Sequence, residues 1–180
     1  MMDLGGLDIN VSRETSDALG HFADLVQKWT VKINLIAPST VDEIWQRHIL
    51  DSVQMYPLRP ASFQTWVDLG SGGGFPGVVL AILSKELDPQ ARFTLIESDQ
   101  RKAAFLRTAV RELGLNTTVL SQRIEDAAQQ VADVVSARAL MPLSTLIPHI
   151  ERHISPNGIS LLHKGRRYGE EIAAARKDWD

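Results

Sequence analysis

The sequence predicts an α/β fold: a doubly wound, mainly parallel sheet with helices on both faces, preceded by a helical extension. Three observations predict it. From Gln64 onward, short β-prone runs alternate with helical stretches, the pattern of a parallel sheet built from crossover units. One strand-to-helix joint, WVDLGSGGGFPGVVLAI at residues 66–82, is a glycine cluster of the kind that turns sharply at the carboxyl end of a sheet. Ahead of residue 63 the apolar positions recur at helical rather than strand spacing. Residues 1–62 therefore read as an N-terminal helical extension packed on the core, and 63–180 as the core itself.

In the extension, ETSDALGHFADLVQKW at 14–29 sets Leu19, Phe22, Ala23, Val26 and Trp29 on one face of an amphipathic helix. A second helix is expected from Val41, after the turn-like APST, where Ser39 or Thr40 can cap and Asp42 and Glu43 suit a first turn. Pro57 and Pro60 close it. Arg47 and Asp51, four residues apart, are expected to share a helical face and pair. The strands then follow as TWVDLG, RFTLIES, TTVLSQ, DVVSARA and GISLLHKG.

Composition narrows the chemistry. With no cysteine among 180 residues, disulfides, thiolate zinc sites, iron–sulfur clusters and cysteine nucleophiles are excluded. His149 and His153 are spaced for a shared metal, but no third ligand and no H-E-x-x-H accompany them, so no metal is expected. The formal net charge is -3; residues 1–60 hold 5 basic and 8 acidic side chains, which leaves 14 of each beyond. Any nucleic-acid surface must be local. MMDLGGLDIN is acidic where a secretion signal needs basic residues, and no apolar run reaches the roughly 20 residues of a membrane span. A cytoplasmic location is expected.

The glycines fit two spacings. Gly70, Gly72 and Gly74 give G-x-G-x-G, whereas Gly72, Gly74 and Gly77 give the dinucleotide pattern G-x-G-x-x-G. Asp68, two residues ahead of Gly70, discriminates between them. At the mouth of the loop its carboxylate would repel a pyrophosphate by a few kcal/mol at an effective dielectric near 20, yet attract the cationic amine and sulfonium of S-adenosylmethionine. Glu97 ends the second strand, where a carboxylate can accept hydrogen bonds from both ribose hydroxyls. Pro76 suits the first turn of the following helix.

VDLGSGGGFPG, the strand ending on Glu97 and the five-strand alternation look like a class I S-adenosylmethionine-dependent methyltransferase, with its Rossmann-like core. KINLIAPSTVDEIWQRHILDS, GSGGGFPGVVLAI, SQRIED, VVSARAL and LLHKG resemble, in order, the RsmG family, also called glucose-inhibited division protein B. The resemblance implies methylation at N7 of a guanine in the helix 18 loop of bacterial 16S ribosomal RNA, with S-adenosylhomocysteine as product and the small ribosomal subunit as partner. It puts Gly70, Gly72 and Gly74 around the methionine part of the cofactor with Phe75 close by, Glu97 at the ribose, Ile124 and Glu125 at the adenine edge, and Arg138 near the transferred methyl. It also implies a last pair of strands after LLHKGRRYGEEIAAARKDWD, expected to be absent here, and we expect a monomer.

The chemistry suits such a residue set. N7 carries a lone pair and no proton, so its attack on a sulfonium methyl needs alignment rather than a general base. Three places offer cations for RNA phosphates: Arg101 with Lys102, Arg107 with Arg111, and Lys164, Arg166 and Arg167 after the fifth strand. The last is the expected RNA contact, since it follows the carboxyl end of a strand. The alternatives are a NAD- or nucleotide-binding oxidoreductase, a non-enzymatic RNA-binding module, and a small-molecule methyltransferase.

Overall fold

The structure, a computed structural model, describes residues 2–4 and 9–179. Readings that rest on Met1, Gly5 to Asp8 or the chain end at Asp180 fall outside them. A short antiparallel pair, β1 (Met2–Asp3) with β2 (Asn10–Val11), leads into α1 (Arg13–Ile33). The main sheet comprises β3 (Thr65–Leu69), β4 (Arg92–Ile96), β5 (Thr117–Leu120), β6 (Ala132–Arg138) and β7 (Ile154–His163), in the order β5-β4-β3-β6-β7. All four neighbouring pairs run parallel. The expected doubly wound sheet is thus observed, and the chain reverses direction across it between β3 and β6, where ligands bind in such folds.

Successive side chains of a strand point to opposite faces. Trp66, Phe93, Leu95 and Val134 accordingly face α3 (Gly77–Leu87) and α4 (Gln100–Leu113), with α1 packed outside them. Val67, Leu69, Ile96 and Val135 face the other way, onto α5 (Leu143–His153) and the segment Ile124 to Ala127. Burial on both faces explains why β3 is apolar at every position except Asp68 between its first residue and its end. A last helix, α6 (Tyr168–Ala175), follows β7. No described helix is long and apolar enough to cross a membrane.

The N-terminal segment is mainly helical, with two departures from expectation: it opens on the β1–β2 pair, and its second helix is broken. The helix foreseen from Val41 is instead a 3-10 turn at Pro38–Thr40, a π-helix at Trp45–Leu50, a short α2 (Asp51–Val53) and a second 3-10 turn at Tyr56–Leu58. Tertiary anchoring overrides the local pattern: Ile49, Val53 and Tyr56 are fully buried, and the Tyr56 hydroxyl donates to Asp88 Oδ2 at 2.6 Å. The longer α1 is capped by Ser12, whose hydroxyl accepts from the Thr15 amide, and Glu86 of α3 accepts from both residues. At its other end Asn34 takes a left-handed conformation, and Thr30 Oγ1 accepts from the Leu35 and Ile36 amides. That turn delivers Leu35 and Ile36 to the carboxyl end of the sheet.

Candidate functional site

A cavity of about 510 Å³ opens at the carboxyl ends of β3, β4 and β6. Its floor is the loop after β3. Gly70 has φ +66° there, a conformation that favours glycine, and a Cβ on it would run into the Leu140 side chain. Gly74, at φ +86°, faces inward instead; a Cβ would strike Phe22 and Val78, each at 2.8 Å. Gly70, Gly72, Phe75, Glu97, Ile124, Glu125 and Arg138 all line the cavity, whereas Gly74 shapes the loop without lining it. Gly77 lines nothing either: it lets α3 approach β3, since a Cβ would meet Leu95 at 2.5 Å and Asp68 at 2.7 Å.

Glu97 ties the floor to the wall. Its Oε2 accepts from the Gly72 amide and its Oε1 from the Asp99 amide, both at 2.8 Å. A carboxylate offers about four lone-pair sites, so two stay open to a ligand's hydroxyls. Asp99 in turn caps α4 by accepting from the Arg101 and Lys102 amides, which sets Lys102 at the cavity rim.

Asp68 departs from its expected place at the loop mouth. It is 1% exposed and lies beneath the glycine loop, on the α3 face of the sheet with Trp66. Trp66 Nε1 donates to Ser136 Oγ at 2.9 Å, and Ser136 Oγ donates to Asp68 Oδ1 at 2.6 Å. Oδ2, beside the Gly77 backbone, has no hydrogen-bond partner. Burial, first, and the charge of Glu97 push this carboxyl up to about 6, against the hydrogen bond from Ser136.

Arg138 reaches the opposite wall. Its Nη2 donates to the Arg47 carbonyl at 2.8 Å and lies 3.3 Å from Asp51 Oδ2, while the guanidinium carbon stands 6.0 Å from the centre of the Phe75 ring. The expected Arg47–Asp51 pair is not formed. The π-helix breaks the α-helical register, Arg47 pairs with Glu43 at 3.9 Å, and Asp51 turns to Arg138 and His163. His48 also lines the cavity, 5.0 Å from Phe75 ring to ring. Burial and the charges of Arg138 and Arg47 lower its pKa to about 4 despite Asp51, so the ring is neutral at pH 7. Leu35, Ile36, Ser98, Gln122, Arg123 and Met141 join the lining too. Gln122 and Arg123 stand next to Ile124 in the sequence, a usable signal; Leu35 and Ile36 arrive by tertiary packing that no local pattern announces.

Ala139, Leu140 and Met141 also line a second cavity of about 620 Å³, walled on its far side by Lys164, Arg166 and Arg167. The three cations differ. Lys164 Nζ is held by Glu171 Oε2 at 2.6 Å and the Met141 carbonyl at 2.8 Å, while Arg166 and Arg167 are exposed. His153 is fully buried with Nε2 3.1 Å from the Ile124 carbonyl oxygen, and among the described residues no cluster of three metal-ligating side chains occurs.

The family model described as rRNA small subunit methyltransferase G matches residues 15–180. The chain belongs to this family. Curated relatives agree. A protein named ribosomal RNA small subunit methyltransferase G from Cereibacter sphaeroides is 56% identical over 172 residues, 96% of this chain and 83% of the relative. One of the same name from Ruegeria sp. is 47% identical over 175 residues, 97% of this chain and 85% of the relative. The chain is therefore a methyltransferase, and membership of this family disfavours the oxidoreductase reading. Among solved structures, a methyltransferase from Geobacter sulfurreducens superposes with a TM-score of 0.58 at 15% identity, covering 95% of this chain and 90% of that one. TYW2 of M. jannaschii, solved with AdoMet, superposes with a TM-score of 0.57 at 17% identity, covering 73% of this chain and 62% of that one. These likenesses show the fold, that of S-adenosylmethionine-dependent methyltransferases.

Proposed function

We propose that this enzyme methylates N7 of a guanine in the helix 18 loop of bacterial 16S ribosomal RNA. S-adenosylmethionine is its cofactor, and it supplies a methyl group activated by sulfonium charge. One observation carries the reading: in a member of this methyltransferase family, the glycine-loop cavity joins Gly70 and Gly72 to Glu97 and Arg138 in one continuous lining.

In this reading Gly70, Gly72 and Phe75 receive the amino-acid end of the cofactor, with Gly74 fixing the loop. Glu97 uses its open lone pairs on the ribose, and Ile124 and Glu125 border the adenine. Asp68 acts from behind the loop, its charge felt through the sheet rather than by contact. Arg138 and the neutral His48 border the acceptor, where they orient the guanine and exclude water. No residue need remove a proton, because N7 has none. Residues 1–62 serve as the extension that walls the site with Leu35, Ile36 and His48, and residues 63–180 as the cofactor-binding core. A cytoplasmic location and a monomeric state complete the reading; for the latter, among the described residues the exposed apolar side chains Val31, Leu58, Leu87 and Val131 lie apart and only Tyr168 and Ile172 share a helix.

The test is transfer of labelled methyl from S-adenosylmethionine to small subunits lacking the modification, with the labelled nucleotide mapped. Label at N7 of one guanine in 16S RNA is expected; label elsewhere, or only on a small molecule, would reject the assignment. Arg166 and Arg167 are the proposed phosphate contacts, ahead of the ion-paired Lys164. Changing both to serine is expected to weaken binding of the 16S RNA about tenfold at 0.1 M salt and to flatten its salt dependence by close to two phosphate contacts. An unchanged salt slope would remove them from the interface.

A further inference from the structure

In an α-helix the Arg47 carbonyl would accept from the Asp51 amide, four residues on. Here the Asp51 amide bonds instead to the His48 and Ile49 carbonyls. Arg138 Nη2 donates to the Arg47 carbonyl at 2.8 Å. The same nitrogen lies 3.3 Å from Asp51 Oδ2, which is also 3.8 Å from His163 Nε2. Three distant parts of the chain meet there: the turn entering α2, the end of β6 and the end of β7. The groups facing one another at this junction are Arg47, His48, Arg138, His163 and Asp51, and Asp51 is the carboxylate among them.

The guanidinium is held at one end only. Nη2 carries both contacts, while Nη1 is buried without a partner in a residue that lines the cavity. A planar fork fixed at one nitrogen has its remaining donors set in direction as well as position. Asp51 supplies the charge in that hold, and the charges of Asp51 and Arg138 are opposite in a half-buried setting where Arg47 adds like charge.

We infer that Asp51 is the positioning residue that aims Arg138 into the cavity, making methyl transfer depend on the docked N-terminal segment. The inference rests on the reading of Arg138 given above. It concerns a residue outside the lining of the glycine-loop cavity.

The experiment is a double-mutant cycle on the full chain, with labelled-methyl transfer to unmodified small subunits and calorimetry with S-adenosylhomocysteine. Asp51→Asn is expected to lower kcat at least tenfold while KM for subunits changes less than threefold. The double variant Asp51→Asn/Arg138→Ala should be no slower than Arg138→Ala alone, within about twofold, because a positioning residue has nothing left to position. Multiplying losses in the double variant, or an Asp51→Asn kcat equal to wild type, overturns the inference. Thermal midpoints and S-adenosylhomocysteine affinity identify variants that fail to fold. Should Asp51→Asn be one of them, Asp51→Glu carries the same comparison, since it keeps the charge on a longer arm: the same kcat loss at unchanged KM supports the inference, and wild-type kcat overturns it. Wild-type enzyme that transfers no label would mark a failure of the functional reading itself, and the inference would fall with it.

Discussion

Glu97→Ala is expected to raise the dissociation constant for S-adenosylhomocysteine at least ~100-fold, which corresponds to about 3 kcal/mol. Two losses combine. The open lone pairs proposed for the ribose hydroxyls disappear, and hydrogen bonds to a charged acceptor contribute roughly 1.5–3 kcal/mol each. The Gly72 and Asp99 amides also lose their acceptor. The first belongs to the cavity floor and the second caps α4, so the floor and the wall come apart together. Glu97→Gln should fall between, because its amide keeps one acceptor oxygen but turns an N–H₂ toward the other backbone N–H. Calorimetry with S-adenosylhomocysteine decides the matter. An affinity within threefold of wild type for the alanine variant would show that Glu97 organises the loop without meeting the ligand.

Much of this site is visible in the chain because its parts are local. A strand, a glycine turn and a helix occupy consecutive residues, and Glu97 stands one residue past the end of β4, so spacing alone places both at the sheet's carboxyl end. The alternation of apolar runs gave the parallel sheet for the same reason. What sequence reasoning misplaced depends on direction or on distant packing. Asp68 was expected at the loop mouth, yet the period-two pleat already sets it on the same face as Trp66, beneath α3, and Gly77 is the glycine that makes room for it. Arg47 and Asp51 looked like an α-helical pair; a π-helix separates them, with Ile49 buried and Asp51 turned to Arg138 of β6 and His163 of β7. Lys164 is read from the sequence with Arg166 and Arg167 as an RNA contact, but Glu171, seven residues later, folds back onto it through α6. In each case the deciding partner is remote in sequence or lies on a face that residue type does not reveal.

The buried carboxylate of Asp68 should make stability fall as pH rises. Its folded pKa is raised to about 6 from 3.8. Between those values the unfolded chain has lost the proton and the folded protein keeps it, so the folded state binds more protons and each pH unit removes about 1.36 kcal/mol. The contribution is fully present below pH 3.8 and is lost as pH passes about 6, a span of roughly 3 kcal/mol. Asp68→Asn cannot ionise, and comparing it with wild type cancels every other titrating group as well as the pH-independent effect of the new amide. From pH 5 to pH 8 the variant should therefore gain about 1.5 kcal/mol on wild type in denaturant unfolding. A difference that does not change with pH would mean that Asp68 titrates near its ordinary value. The same variant separates stability from function. An ionised carboxylate without a partner for Oδ2 is an unfavourable feature to bury, and its proposed return is the field it projects through the glycine loop onto a cationic cofactor. Wild-type affinity for S-adenosylmethionine should accordingly weaken as pH falls through about 6, and the asparagine variant should bind weakly at both ends of the range. If Asp68→Asn were more stable at pH 8 and bound the cofactor as well as wild type, the charge would have no part in the site.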